Sequence, residues 1–299
     1  MVARDAFGLH VSVFKELTSD EGRSWLASLP GLVATLEDEW HVQTGSPFTR
    51  GTAAWTAPAR TADGRPSVMK ISWPHREARF EADGLRLWAG AGAVRVLESD
   101  PTRWAMLLER CLPGVALDGR QLTVREAMDA AAAVLRQLWS APVPDGAPFE
   151  RLGDVARDWA QLVRARMDRH RPPFDAGLVA LGASLLETLP DEGRAVVLHG
   201  DFNPGNILSA TRCPFLAIDA KPMIGDAAYD PSQLVDQLDD PSGSVRSRYE
   251  YFADLVDVPV DRMLAWGVAR NVEGALWDVA EGRRGSLRTA AVLARAGGL

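Results

Sequence analysis

Three features of the sequence predict an α+β fold with a β-rich first part and a mostly helical second part. Residues 40–110 hold short β-like pieces separated by Gly45, Gly51 and the turn Asp63-Gly64. Beyond residue 120 the chain carries long amphipathic helical runs. One pair of short apolar runs, Ala195–Leu198 and Phe215–Ile218, interrupts those helices. The change of texture divides the chain into residues 1–109 and 110–299. At 299 residues it is long enough to bury sizeable cores.

Composition narrows the function class. Hydrophobic residues make up 46% and charged residues 24%, ordinary values for a globular chain. No apolar run approaches the ~18 residues of a membrane span. The start, MVARDAFGLHVSVFKELTSDEG, has no basic segment followed by an apolar one, so no signal peptide is expected. Cys111 and Cys213, far apart, suggest neither a zinc site nor a disulfide framework, which fits a cytoplasmic location. Net charge is −7 and no Lys/Arg stripe forms, so nucleic acid is not an expected partner. The acidic balance suits a cationic ligand, although solubility alone explains such a charge. No obligate protein partner is indicated.

In chain order, residues 10–40 read as helix, broken into two pieces at Leu29-Pro30-Gly31. An antiparallel hairpin follows, around the loop Gly45–Gly51, and then a third strand, Ser67–Ser72. That strand carries Lys70 in the apolar run VMKIS. Lys15, Lys70 and Lys221 are the only lysines among 33 basic residues, so a lysine inside an apolar strand invites a chemical reason. His75–Ala89 has helical spacing, with Phe80, Leu85 and Trp88 on the candidate buried face and Glu77 and Glu81 one turn apart. Gly90–Asp100 and Thr102–Glu109 complete the β-rich part as a hairpin.

The second part opens on a capping box, Thr123 to Glu126, which starts a helix to about Trp139. Further helices are predicted at 149–170, 176–189, 232–238, 244–255, 261–281 and 287–295. Between the third and fourth of these seven lies VVLHGDFNPGNILSATRCPFLAIDAKPMIGDAAYD, residues 196–230. Its two apolar runs read as paired short strands that bring Asp201, Asn206 and Asp219 together. Asp and Asn oxygens are hard ligands suited to Mg²⁺ held against phosphates. A carboxylate left off the metal can orient a hydroxyl and take its proton. Metallophosphatase motifs also use His and Asp, but they need several clustered His ligands. The five His here are scattered at 10, 41, 75, 170 and 199.

The set His199-Gly200-Asp201, Asn206 and Asp219 resembles the aminoglycoside phosphotransferase branch of the protein-kinase-like fold, a two-lobed plan with a β-rich N-lobe and a mostly helical C-lobe. The run IDAKPMIGDAAYDP resembles in particular the streptomycin 6-phosphotransferase and hydroxyurea-type branch. That branch usually reads IDPKP, with proline where Ala220 stands, and the family often has His in place of Asn203. The resemblance covers nearly the whole chain.

The resemblance implies ATP and Mg²⁺ as cofactors, with Asp201 as orienter and base and with Asn206 and Asp219 on the metal. It makes Lys70 the phosphate-binding lysine of the third strand, steadied by Glu81 in preference to Glu77. The loop Gly45–Gly51 would cover the nucleotide. The carbonyl of Glu109 and the N–H of Cys111 would meet the adenine edge, with Leu107 and Leu108 behind it. His199 would shape the catalytic loop. The acceptor would be a small aminoglycoside such as streptomycin. Asp226, Asp230, Glu273, Asp278 and Glu281, with Trp277, either face that acceptor or serve as loop anchors and a solvated helix face. The alternatives are a kinase of the same fold acting on a metabolite hydroxyl, and a non-catalytic nucleotide-binding module. The intact set Lys70, Asp201, Asn206 and Asp219 speaks against the last.

Overall fold

The computed structural model describes Leu17 and residues 19–48, 53–117, 122–238 and 243–299. Residues 49–52 of the predicted nucleotide-covering loop, Gly51 among them, lie outside the described residues, as do Lys15 and most of 10–18. The chain divides into two compact units, Met1–Gly114 and Val115–Leu299. The break falls at Gly114 rather than at Glu109 because Val115 onward is bonded into the second unit. The Val115 N–H donates to Ser209 Oγ, and the Leu117 N–H donates to the carbonyls of Pro204 and Ile207.

The first unit is an antiparallel sheet faced by a helix. Helix α1, Asp20–Trp40, is capped by Ser19, whose hydroxyl accepts the Gly22 N–H. It runs unbroken through Pro30, against the two-piece expectation. A proline removes one backbone bond and strains the preceding turn. Here Leu29, Val33 and Leu36 continue the same buried stripe on both sides of it, seated against the sheet. Strands β1 (Val42–Thr44), β2 (Ala54–Thr61), β3 (Pro66–Ser72), β4 (Val96–Asp100) and β5 (Ala105–Glu109) are ordered β1-β2-β3-β5-β4, all antiparallel. Trp55, Ala57, Met69, Ile71 and Leu107 turn toward α1. Alternation along β3 therefore sends Lys70 to the other face.

Helix α2 covers only Glu81–Trp88. The stretch predicted as one helix from His75 begins instead with an extended His75 and a single 3₁₀ turn, Arg76–Ala78. Pro74 precedes it, and the His75 ring is tied back to the Trp73 carbonyl at 2.6 Å. Glu77 therefore does not share a helix face with Glu81, and Phe80 stands before the helix.

The second unit is helical around two small sheets. Its helices are α3 (Val124–Leu138), α4 (Leu152–His170), α5 (Ala176–Thr188), α6 (Tyr229–Val235), α7 (Val245–Val256), α8 (Val260–Ala280) and α9 (Arg288–Gly297). The capping box at Thr123 and Glu126 is formed. Helix α8 is the hub: α4, α5, α6, α7 and α9 all pack on it, and it buries Met263, Trp266, Val268, Val272 and Leu276. No helix among the described residues is long and apolar enough to cross a membrane.

The strands differ from expectation in their pairing. Strand β7 (Ala195–Leu198) pairs antiparallel with β10 (Met223–Asp226), which also takes β6 (Glu150–Arg151) in parallel. Strand β9 (Phe215–Ala217) pairs with β8 (Ile207–Ser209). The two apolar runs read from the sequence thus lie in different sheets. Strands of three or four residues leave almost no periodic signal, so their true partners went unseen.

Candidate active site

In the first unit, the Lys70 ammonium donates to both oxygens of Glu81 at 2.7 Å. The pair is enclosed, with side chains 10% and 2% exposed. Lys70 comes from the sheet face turned away from α1, and Glu81 from the first turn of α2. The shift of the helix start to Glu81 is what puts this glutamate, rather than exposed Glu77, on the lysine. Glu109 closes β5: its N–H donates to the Arg95 carbonyl at 2.8 Å, and its carboxylate accepts the Arg95 N–H at 3.1 Å. Cys111, two residues on, is buried.

In the second unit, two loops are laced together by backbone bonds. One leaves β7 with His199, Gly200 and Asp201; the other leaves β9 with Ile218, Asp219 and Lys221. The Lys221 N–H donates to the His199 carbonyl at 2.7 Å, and the Ile218 N–H to the Asn206 carbonyl at 2.9 Å. The His199 ring completes the lacing. Its Nε2 bonds the Ile218 carbonyl at 3.0 Å, while Nδ1 accepts the Asp201 N–H at 3.3 Å. One ring nitrogen donating and one accepting defines a neutral imidazole. Burial holds it so, lowering its pKa to about 4 against the pull of Asp201 and Asp219. Asp219 adopts a left-handed backbone, φ 58°. Bonds from Ile218 before it and Lys221 after it hold that conformation.

Asp201 is the centre of this loop pair. Asn203 Nδ2 donates to its Oδ1 at 3.0 Å, Asn206 Nδ2 to its Oδ2 at 3.2 Å, and Lys221 Nζ lies 3.2 Å from the same Oδ2. Asn206 Nδ2 also bonds the Asp201 carbonyl at 2.9 Å. Both bonds use the Asn206 amide nitrogen, and its side-chain oxygen takes part in neither. Lys221 was missed as a site residue, although the scarcity of lysine that singled out Lys70 applied to it equally.

The acidic residues offered for acceptor binding divide. Asp230 is fully buried and accepts the N–H groups of His199 and Gly200 at 2.8 and 2.9 Å. Burial pushes its carboxyl up to about 7, against those two donors. Asp226 is also buried, held by Arg262 Nε and Trp266 Nε1, each at 2.6 Å. Both are bonded within the chain as loop anchors, one of the two readings that the sequence left open for them. Glu273 is likewise buried, between Arg166 at 3.0 Å and Arg270 at 3.1 Å. Asp278 bonds Arg283 at 2.9 Å, and that guanidinium covers the exposed Trp277 ring.

Comparison with known proteins decides the family. The profile described as aminoglycoside/hydroxyurea antibiotic resistance kinase matches residues 39–282. The chain belongs to that family. It is 33% identical to a streptomycin 6-kinase of Streptomyces griseus over 88% of this chain and 87% of the other. It is 34% identical to that of Streptomyces glaucescens over 93% and 92%. Among solved structures it resembles an aminoglycoside phosphotransferase from Streptomyces rimosus determined with ADP and streptomycin. The TM-score is 0.57 at 20% identity, covering 82% of this chain and 98% of that one. The fold is therefore protein-kinase-like, and the chain is a small-molecule kinase.

For this resistance-family kinase, the enclosed Lys70–Glu81 pair makes the first prediction. Removing either partner strands a buried charge, at a cost of about 3–5 kcal/mol. The double variant Lys70→Met with Glu81→Leu should unfold at a denaturant concentration no lower than the worse single variant. Losses that simply add would show that the two side chains do not act as a unit.

Proposed function

We propose that this kinase uses ATP and Mg²⁺ to phosphorylate a hydroxyl of a streptomycin-type aminoglycoside. The observation that carries the reading is the laced loop pair, in which Asp201, Asn206 and Asp219 are tied by bonds through Asn206, His199 and Ile218. The streptomycin 6-kinases it resembles over about nine-tenths of its length supply the acceptor class.

Each residue has a definable task. Asp201 orients the acceptor hydroxyl and takes its proton as the oxygen attacks the γ-phosphorus. Lys70 steadies the phosphates, and Glu81 fixes Lys70. The Glu109 carbonyl and the Cys111 N–H meet the adenine edge. Asn206, through its oxygen, and Asp219 fit a hard cation. Bound there, Mg²⁺ neutralises charge on the phosphate oxygens. Asn206 and Asp219 would supply two protein oxygens, as suits a cation that is usually held by one or two such groups and keeps water and substrate phosphates on its other positions.

Acceptor identity is tested by ATP consumption against streptomycin, kanamycin, hydroxyurea, glucosamine and choline. Turnover with streptomycin supports the reading. Turnover with an amino sugar or choline and none with streptomycin discards the antibiotic while keeping the kinase. Asp219→Ala should abolish the Mg²⁺-dependent part of nucleotide affinity in calorimetry. Unchanged MgATP affinity removes Asp219 from the metal.

A further inference from the structure

The ion pair between Lys221 and Asp201 is not accounted for by the roles above. At 3.2 Å a cation rests on one oxygen of the carboxylate that is to act as base. The pair is also only partly enclosed, with side chains 33% and 27% exposed, unlike the sealed Lys70–Glu81 pair.

Its placement is built into the crossing of the two loops. The Lys221 N–H is bonded to the His199 carbonyl. Its carbonyl lies so close to Gly200 that a Cβ there would be 1.9 Å from it. Gly200 accommodates this with φ +82°, a conformation favourable to glycine. The lysine backbone is therefore fixed one residue away from Asp201. The chain otherwise prefers arginine; its lysines number three, and two of them lie on this pair and on Glu81. A compact ammonium with three N–H donors can hold a carboxylate and a phosphoryl oxygen together.

We propose that Lys221 is a further catalytic residue, its ammonium bridging Asp201 Oδ2 and an oxygen of the γ-phosphoryl group. This rests on the kinase reading of Asp201. During transfer the acceptor oxygen bonds to the γ-phosphorus, the bond to the β–γ bridging oxygen breaks with its electron pair going to ADP, and the hydroxyl proton passes to Asp201. Lys221 keeps its proton throughout. Its work is electrostatic. An anionic base must stand beside a phosphoryl group whose charge spreads over three oxygens, and the cation between them offsets that repulsion.

The test compares binding of ADP with binding of the non-hydrolysable β,γ-imido analogue of ATP, both with Mg²⁺, by calorimetry. Lys221→Met should weaken the imido analogue by about 10-fold or more and ADP by less than about 2-fold, because only the former carries the γ-group. With streptomycin as acceptor, kcat should fall about 10²-fold. Lys221→Arg should restore part of the preference for the imido analogue. An unchanged affinity ratio in Lys221→Met overturns the proposal. If that variant does not fold, Lys221→Cys alkylated with 2-bromoethylamine, which rebuilds an ammonium, replaces it. Recovery of the ratio on alkylation, with treated wild type as control, supports the bridge; no recovery overturns it. Wild-type protein that binds neither nucleotide would instead overturn the kinase reading.

Discussion

Asp201→Asn is expected to lower turnover by at least about 10²-fold while leaving MgATP affinity near the wild-type value. Asparagine keeps the size of the side chain, and its one amide oxygen can still accept from either Asn203 or Asn206, which bond the two separate oxygens of Asp201 at 3.0 and 3.2 Å. What it loses is the ability to take a proton and the charge that Lys221 faces. The loss should appear in kcat, because nothing in the proposed nucleotide contacts is removed. Steady-state rates across pH 6–9, with calorimetric MgATP titration, separate the two effects. A near wild-type rate at every pH would end the assignment of Asp201 as base.

Gly200→Ala should be the most destabilising single methyl in the loop region. The added Cβ meets two penalties there. Its left-handed backbone costs a non-glycine residue about 1–2 kcal/mol, and the Lys221 carbonyl 1.9 Å away admits no atom at that point. Gly64, in the β2–β3 turn, supplies the control: its φ is +83°, but nothing lies within 4 Å of its Cβ position. Gly64→Ala should cost about 1 kcal/mol and Gly200→Ala at least about 3 kcal/mol in urea unfolding, the difference being the steric part. Equal costs would show that the two loops do not cross as tightly as described. Activity in any folded Gly200→Ala protein should fall as well, since Lys221 and Asp201 can no longer both keep their places.

The candidate site was more legible than the architecture around it. Asp201, Asn206 and Asp219 could be singled out because the metal and base chemistry proposed for them demands particular residue types at fixed offsets. Lys70 stood out because an apolar strand rarely tolerates a cation without a partner. Glu81 was preferred to Glu77 through the family resemblance; the helical spacing that made the two joint candidates does not exist, since the helix begins at Glu81 and leaves Glu77 outside it. The acidic residues show the limit most clearly. Their charge is plain in the sequence, but their partners are not. Arg262 is 36 positions from Asp226, and Arg166 is 107 positions from Glu273. Whether a carboxylate faces a ligand or an internal guanidinium depends on helix packing that local pattern cannot report. The same is true of β8 and β10, each too short to announce itself, which reassigned the pairing of both catalytic strands.

Asp230 carries a consequence beyond its two hydrogen bonds. It belongs to the first turn of α6, beside Tyr229, whose ring meets Trp266 of α8 edge-on at 5.2 Å. The His199 and Gly200 amides are thus moored, through one buried carboxylate, to α6, which itself packs on α8. A change at Asp230 therefore reaches the packing of the unit as well as the loop, whereas exposed Trp277 and Asp278, paired with Arg283 at the surface, do not share that bond.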